Sequence, residues 1–369
     1  MVPMPYDHQL MSFDHFRTNK KPFYPIQDAL RDYLANNSRQ LKLPVTYNEL
    51  MDYFECAPLI DAEGKDTLWA TVVYPSEVMI GMSQALTKIY VMLKAGGETS
   101  IMNHLFVDRI DFCTFGNSKP FRVRIVNSLN DNQDYYYIKK ADASRVFGLE
   151  LEHLLAPNRI HYLISGDTLI EEHVVGIPGD VFIETWMKNS AMVKPIRLAK
   201  EMVKFNERCF ARLLGDMRSY NFVVDITHDF EEAQIRIRAM DFDQQSYSGR
   251  LNFYRPQFFK DNNEIVLFCL EHINRATAHQ YQVEERTLLS RRVDQAGNRL
   301  SLLLDLMGKN PNSTVEKVKE LSKSLADLHS NENFLYCTHM GEIVSENLKT
   351  ICSNNRTLDS NKKNAFELK

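Results

Sequence analysis

The sequence predicts an α+β fold in two lobes, an antiparallel sheet with one helix followed by a mostly helical lobe, with a helical extension at the N-terminus. Strand-like segments are concentrated in the sheet lobe, one helical segment interrupts them, and the following residues have mainly helical periodicity. We therefore divide the chain into an extension over residues 1–100, a sheet lobe over 101–175, a helical lobe over 176–350 and a flexible tail over 351–369.

The extension is predicted to be helical from three segments. Pro25–Leu34 and Tyr47–Phe54 place apolar residues at helical spacing, and Ser76–Leu93 has the same spacing with more apolar residues, which is typical of a buried helix. The pair Gly96 and Gly97 then ends the helical pattern.

The sheet lobe is predicted to contain three strands, one helix and two further strands. The predicted strands are Val107–Cys113, Phe121–Val126, Tyr135–Lys140, Arg159–Ile164 and Thr168–Ile170. The second of them alternates strictly between apolar and polar residues, as expected for a half-buried strand. Ala143–Leu155 has helical spacing and ends before Pro157.

The helical lobe is predicted from two long patterns. Ile196–Leu214 is helical and leads into a loop at Asp216. The chain is helical again over Asn263–Leu328, apart from a break at Asn310–Thr314. Ser313 or Thr314 is expected to cap the helix that follows the break.

Composition excludes several classes of protein. The 369 residues are 44% hydrophobic and 25% charged, with a net charge of −4 and no basic block, so neither nucleic acid nor a membrane is an expected partner. No segment resembles a signal peptide or has the roughly 18 apolar residues of a membrane span. The six cysteines are scattered without a C-x-x-C pair, which favours a reduced, cytoplasmic location over disulfides or zinc.

Polar side chains suited to phosphoryl transfer lie beside two apolar strands of the helical lobe. Asp216 and Asn221 precede one strand, and Asp241 and Asp243 follow the next. A carboxylate can take a proton from a hydroxyl, and amide and carboxylate oxygens are suitable magnesium ligands. Taken singly, Asp216 and Asn221 are equally typical of turns, Asp241 of a strand end, and Asp243 of an arginine's partner.

Leu214-Gly-Asp-Met-Arg-Ser-Tyr-Asn221 and Met240-Asp-Phe-Asp243 resemble the catalytic and metal-binding segments of protein-kinase-like phosphotransferases. Within that group, the aminoglycoside phosphotransferase and choline kinase branch is the most similar. The resemblance covers roughly residues 105–260 and implies a two-lobed kinase-like fold. It also implies a kinase that uses ATP and Mg²⁺ to phosphorylate a hydroxyl of a small molecule or a protein.

The resemblance assigns roles to these side chains. Asp216 is expected to be the catalytic base. The expected magnesium ligands are Asn221, Asp241 and Asp243.

A kinase-like site also needs a cation on the third strand of the sheet lobe to contact the phosphates. Lys139 and Lys140 both lie there and point to opposite faces of the strand. We favour Lys139 because it shares a face with Tyr135 and Tyr137. The other interpretation is a lysine at the end of an edge strand.

This lysine is expected to pair with a glutamate of the following helix. Glu150 and Glu152 are both available, and we favour Glu150 because Leu154, four residues later, would stack behind it toward the core. Both could instead be solvated, as is usual for glutamate.

Glu171-Glu-His-Val-Val-Gly-Ile-Pro-Gly179 resembles the hinge of the aminoglycoside phosphotransferase branch. The resemblance implies that an adenine takes backbone hydrogen bonds around Glu172, His173 and Val174. An ordinary strand and turn would have the same glycine and proline pattern.

The chain departs from the family in three places. Leu214 stands where many relatives have histidine, the hairpin Thr114–Ser118 has a single glycine, and the segment at Asp241 lacks the usual Asp-Phe-Gly ending. Two alternative functions therefore stay open. One is a pseudokinase or nucleotide-gated interaction module that binds a protein partner through the flanking helices, and the other is AMP transfer by the same fold.

Overall fold

The computed structural model describes residues 21–94, 96–97, 99–115, 118–187, 193–228 and 233–366. It has an α+β architecture, with a large antiparallel sheet followed by a mostly helical region, which confirms the predicted fold class at this level.

The large sheet has seven strands in the order β1-β2-β3-β4-β5-β7-β6. Their bounds are β1 Glu55–Ile60, β2 Asp66–Val73, β3 Leu105–Cys113, β4 Phe121–Asn127, β5 Gln133–Lys140, β6 Tyr162–Ser165 and β7 Thr168–Glu172. The five strands predicted from sequence correspond to β3 through β7 and are confirmed within a few residues. Every described pairing between neighbouring strands of this sheet is antiparallel.

The prediction of a helical extension was wrong over residues 55–73. Helices α1 (Asp28–Asn36), α2 (Tyr47–Leu50) and α3 (Ser76–Lys94) do form there, but β1 and β2 extend the sheet beyond β3. Residues of β1 are almost all exposed, so no apolar alternation marks this strand in the sequence. Backbone pairing with β2 makes it a strand, and that pairing leaves no pattern in the side chains.

The two faces of the sheet have different neighbours. On one face, Tyr136 and Ile138 of β5 are buried in a cluster with Leu86 and Ile89 of α3, and the Tyr136 hydroxyl donates to the Leu86 carbonyl at 2.9 Å. Because successive side chains of a strand point to opposite faces, Lys139 lies on the other face of β5.

Helix α4 (Ala143–Leu155) lies between this second face and the helical region. Asp142 caps it by accepting from the Arg145 backbone N–H at 3.2 Å. Nearly all residues of α4 are buried: it packs on the long helix α8 (Arg275–Gly308), and its apolar residues share one core cluster with residues of α1 and the sheet.

The helical region contains six further helices and a small sheet in the order β10-β9-β8 within the described residues. The bounds are β8 Ile177–Pro178, α5 Gly179–Val181, α6 Pro195–Arg212, β9 Phe222–His228, β10 Ala233–Ala239, α7 Asn263–His272, α8 as above, α9 Val315–His329 and α10 Met340–Phe366. Thr314 caps α9 by accepting from the Lys317 N–H, as one of the two expected caps.

Two details qualify the helical pattern. Helix α8 is interrupted at Gly297, whose φ of +46° is non-helical. Helix α10 continues to Phe366, so most of the segment predicted as a flexible tail is helical, and its flexibility stays a prediction.

Among the described residues, no helix combines the length and the apolar character needed to cross a membrane.

Candidate functional site

The loop that carries Asp216 is held against the segment that follows β10. Helix α6 ends at Leu213 with φ +53°, and Asp216 itself has φ +60°. The Gly215 N–H donates to the Gln244 carbonyl at 3.2 Å, and a Cβ on Gly215 would lie 2.5 Å from the Phe253 ring. The close approach requires glycine there, and it fixes the loop beside the Asp241 segment.

Hydrogen bonds bring three of the predicted site residues together. The Asn221 side-chain amide donates to the Asp216 carbonyl at 2.7 Å, and the Met240 N–H donates to the Asn221 carbonyl at 3.1 Å. Asp241 therefore begins next to Asn221, and its own Oδ1 accepts from the Asp243 N–H at 3.1 Å. Asp216, Asn221, Asp241 and Asp243 are thus held close together, and we call these residues, with Lys139, the Asp216 cleft.

The Asp216 carboxylate has a cationic neighbour that the sequence analysis did not single out. Arg218 Nε donates to Asp216 Oδ1 at 2.9 Å, and Arg218 Nη1 lies 3.3 Å from Asp261 Oδ2. Burial raises the pKa of Asp216, and the hydrogen bond from Arg218 opposes that shift. A carboxyl with a raised pKa is a better proton acceptor once it is ionised.

Lys139 of β5 is buried, and it is near enough to Asp241 and Asp243 to lower the pKa of both against the effect of burial. Its Nζ donates to Glu171 Oε2 of β7 at 2.8 Å. Lys140 points to the other side, is exposed, and lies 4.8 Å from the centroid of the Phe23 ring. The structure thus places Lys139 and not Lys140 at the cleft.

The expected pairing of Lys139 with Glu150 was wrong. Glu150 is completely buried on the far side of α4, where it accepts from the Tyr162 hydroxyl at 2.5 Å and from Arg299 Nη2 at 2.9 Å. Burial alone would raise the pKa of Glu150, but these partners outweigh burial and lower it. Glu152, the alternative, is also buried and pairs with Arg212 of α6.

Arg145, and not a glutamate, is the side chain of α4 that contacts the predicted site residues. Its side chain is only 1% exposed, and its Nη1 lies 2.8 Å from Asp241 Oδ1 and 2.6 Å from Asp243 Oδ1. Its Nη2 donates to Glu171 Oε2 at 2.9 Å, and Nε contacts the other oxygen of Glu171. One guanidinium therefore joins α4, β7 and the segment after β10.

This network sets the charge states in the cleft. Burial opposes ionisation of Glu171, but Arg145 and Lys139 outweigh it and lower the pKa of Glu171 to about 2. Burial would also raise the pKa of Asp243, yet the same two cations lower it. Burial and the charge of Asp243 together raise the pKa of Asp241.

A glycine in α4 allows the arginine to reach the aspartates. A Cβ on Gly148 would lie 3.0 Å from Cβ of Phe242 and 3.2 Å from Cβ of Gln245. Phe242 is completely buried between the two aspartates along the chain. The segment after β10 therefore packs directly on α4, one turn from Arg145.

The hinge-like segment has a polar aromatic contact with β5. The Tyr137 hydroxyl and His173 Nδ1 lie 3.1 Å apart, and burial lowers the pKa of His173, which favours the neutral ring. Glu172 points away from the cleft and pairs with Lys94 Nζ at 3.2 Å, while Val174 is buried. Adenine contacts by the backbone of these residues stay a prediction.

The predicted magnesium ligands have the right chemistry for a hard cation, since they supply carboxylate and amide oxygens. Arg145 engages one oxygen of each aspartate and so competes with a metal for them. Across the described part of the chain, no group of three or more histidine, cysteine or acidic side chains has metal-binding geometry. Gly116 and Asn117, in the hairpin predicted to cover the phosphates, lie outside the described residues.

A cavity of about 390 Å³ lies beside the Asp216 loop. Ser219 of the loop and Ile183 line it together with four acidic side chains, those of Asp180, Glu184, Asp261 and Glu264. One of them, Asp261, also pairs with Arg218. The cavity is therefore strongly acidic and adjoins the proposed base.

No family model matches the sequence, and no curated protein matches it. Some solved structures of protein kinases and pseudokinases are similar to this chain. A structure of titin kinase with its flanking domains is 12% identical, covers 65% of this chain and 53% of its own, and has a TM-score of 0.28. This chain thus spans about half of that structure.

Two structures of the Neurospora crassa PAN3 pseudokinase, one of them a mutant, are also similar at 12% identity. The mutant covers 93% of this chain and 74% of its own, with a TM-score of 0.20. The other covers 80% and 74%, with a TM-score of 0.19. None of the three is an aminoglycoside phosphotransferase or a choline kinase, so that finer resemblance stays a prediction.

Proposed function

We propose that the protein is an ATP- and magnesium-dependent phosphotransferase that acts on a hydroxyl group. One observation carries the proposal. Hydrogen bonds hold Asp216, Asn221 and Asp241 together. Glu171 and Arg145 connect Lys139 to Asp241. Phosphoryl transfer requires this combination of a base, oxygen ligands and a phosphate-binding cation.

Each side chain has a defined task in this proposal. Asp216 accepts the proton of the incoming hydroxyl, and Arg218 orients the carboxylate through its bond to Oδ1. Asn221, Asp241 and Asp243 would hold magnesium, which supplies positive charge to the phosphate oxygens when bound. Lys139 places a further positive charge on the phosphates, and Glu171 keeps it oriented.

The acidic cavity beside the Asp216 loop supports a positively charged acceptor. Its four carboxylates would attract a cationic group and repel an anionic one. An acceptor hydroxyl carried on a cationic small molecule or a basic peptide is therefore favoured over one on an acidic molecule.

A second function, a kinase fold without catalytic activity, is favoured by Arg145. Its guanidinium neutralises Asp241 and Asp243 from within the protein, with the side chain almost fully buried. An ion so well surrounded is costly to displace, because its partners would lose their compensating charge. If Arg145 stays in place, only the second carboxylate oxygen of each aspartate is left for a metal.

Thermal unfolding with and without Mg-ATP separates these functions. A nucleotide at 100 times its dissociation constant stabilises the folded state by about 2.7 kcal/mol. The phosphotransferase proposal requires a magnesium-dependent increase in Tm that Asp241→Ala abolishes. Asp327→Ala, an exposed aspartate on α9, is the matched control and keeps the increase.

The remaining outcomes point to the other function. An increase in Tm that does not depend on magnesium indicates a nucleotide-binding pseudokinase. The absence of any increase with ATP, ADP or GTP, in the wild type and in Asp327→Ala, would contradict both nucleotide-dependent functions. Where the magnesium-dependent increase is found, transfer of labelled γ-phosphate to a cationic acceptor, lost in Asp216→Asn, establishes the activity itself.

A further inference from the structure

A larger cavity, of about 650 Å³, lies among the helices of the helical region. Its walls come from α6, α7, α8, the end of α9 and the segment Arg255–Phe258. None of its lining residues belongs to the Asp216 cleft. Sites for small molecules have volumes of roughly 300–1,000 Å³, so this cavity has the size of a ligand site.

Most of the wall is apolar, and some of its large apolar side chains are exposed. The buried or half-buried apolar lining consists of Met202, Val203, Phe210, Val266, Cys269, Ile273 and Ala278. Phe258, Leu270 and Leu328 also line the cavity, although their exposed fractions are 55%, 65% and 43%. Large apolar side chains grouped around an opening are typical of a binding site.

The cavity is lined by two arginines but by only one carboxylate. Glu207 Oε2 accepts from Arg286 Nε at 2.7 Å, which neutralises that arginine. Arg255 stacks on the rings of Phe210 at 4.9 Å and Phe258 at 6.0 Å, and no carboxylate of the described residues lies within salt-bridge distance of it. Glu207 attracts Arg255 only from beyond that distance, so two arginines share one carboxylate and one net positive charge is left in the cavity.

The other polar groups of the wall do not compete for this charge. His329 stacks on Phe210 and contacts the Asn347 amide oxygen at 3.0 Å, and burial lowers the pKa of its ring, so it stays neutral. Burial raises the pKa of the Cys269 thiol to about 12. Gln257 Oε1 is buried and has no hydrogen-bond partner in the part of the chain that the structure describes.

We propose that this cavity binds an amphipathic carboxylate, with its anionic group on Arg255 and its apolar chain against α6 and α7. An apolar chain covers the rim formed by Phe258 and Leu270, and a carboxylate supplies the missing ionic partner. Rotation of the Gln257 amide by half a turn presents its NH₂ group to the same anion. The proposal does not depend on the function of the Asp216 cleft.

The test uses the full chain and dodecanoate, kept below its micelle concentration, in isothermal titration calorimetry. Saturable binding of one molecule per chain is expected, and dodecanol and dodecyltrimethylammonium should bind at least about tenfold more weakly, because each lacks the anion. Equal binding of dodecanol would overturn the proposal, since the site would then recognise only the apolar chain.

Three variants locate the site. Arg255→Gln should raise the Kd for dodecanoate at least about tenfold, and Ala278→Phe should weaken binding by narrowing the cavity. Arg291→Gln, an exposed arginine of α8 outside the cavity, should leave the Kd unchanged. Unchanged affinity in both cavity variants overturns the proposal.

A labelling experiment on the wild type avoids the risk that a variant fails to fold. A dodecanoate that carries a diazirine at its chain end should label peptides of α6 or α7 of the wild type on illumination. Labelling confined to the Asp216 cleft, or spread over the whole surface, contradicts the assignment.

Discussion

Nη1 of Arg145 lies 2.8 Å from Oδ1 of Asp241, so a cation from the helix beside the sheet neutralises the aspartate that the kinase resemblance assigns to magnesium. The same nitrogen lies 2.6 Å from Asp243, and the remainder of the guanidinium binds Glu171. This arrangement links the stability of the fold to the properties of the candidate site, and four predictions follow from the contacts around it.

Replacement of Arg145 by methionine should destabilise the fold by about 3–5 kcal/mol, since it leaves three neighbouring carboxylates without their buried cation. The free energy of unfolding in urea at neutral pH measures this change. Arg291→Met, at an exposed position of α8, serves as the control and should change the stability by less than about 0.5 kcal/mol. Equal free energies of unfolding for the two variants would contradict the ion pairs of Arg145 with Glu171, Asp241 and Asp243.

The pH dependence of stability should contain a contribution from Glu171. Its pKa is about 2 in the folded state and about 4.3 in an unfolded chain. Because the folded pKa is depressed, the contribution is fully present above about pH 4.3 and is lost as the pH falls through about 2. Its size is on the order of 3 kcal/mol.

The free energy of unfolding of the wild type and of Glu171→Gln should be compared between neutral pH and pH 2. The stability advantage of the wild type should shrink as the pH falls through this window, because only the wild type takes up a proton at this position. A constant difference across the whole range would mean that Glu171 is not the ionised partner of Lys139 and Arg145.

Glu150 should behave as a structural residue and not as part of a nucleotide site. Glu150→Ala removes the partner of Arg299 and Tyr162 on the far side of α4, and we expect a loss of about 3–5 kcal/mol of stability. The Kd for Mg-ATP, measured by calorimetry on the folded fraction, should stay within a factor of about two. Glu171→Ala should weaken nucleotide binding at least tenfold by releasing Lys139. A larger loss of nucleotide affinity in Glu150→Ala than in Glu171→Ala would instead support the pairing of Lys139 with Glu150 that the sequence predicted.

Gly148→Ala should destabilise the protein, because the new Cβ would meet Phe242 at 3.0 Å and push the aspartate segment away from α4. Overpacking of this kind costs about 1–3 kcal/mol. Gly81→Ala in α3 is a matched control, since nothing lies within 4 Å of its Cβ, and it should stabilise the helix by about 0.4–1 kcal/mol. Thermal unfolding of both variants provides the comparison, and a stabilised Gly148→Ala would contradict the close packing.

Local patterns were sufficient for much of the sheet and for α4. Strict alternation marks β4, and helical spacing that ends before Pro157 marks α4, because these signals depend only on neighbours along the chain. The loop at Asp216 could also be located from sequence, since it lies between a helix and a strand with strong patterns of their own. By contrast, β1 is almost entirely exposed and has no such pattern, and it is recognised as a strand from its pairing with β2.

The ionic partners of the site could not be predicted in the same way. Glu150 binds Arg299, which is 149 residues away along the chain, and Arg145 binds Asp241, 96 residues away. Spacing along one helix cannot tell whether a buried charge faces the cleft or another helix. The unpaired Arg255 and its cavity are likewise visible only once α6, α7 and α8 are packed together.

The sequence by itself determined the residue types available for chemistry and the order of most strands and helices, because periodicity and capping are properties of short segments. Only the tertiary structure decided which charges neutralise each other. Lys139 pairs with Glu171, and Arg145 takes the two aspartates. The physical reason is that a buried charge is stable only beside its opposite, and the opposite charge comes from whichever element the fold packs against it.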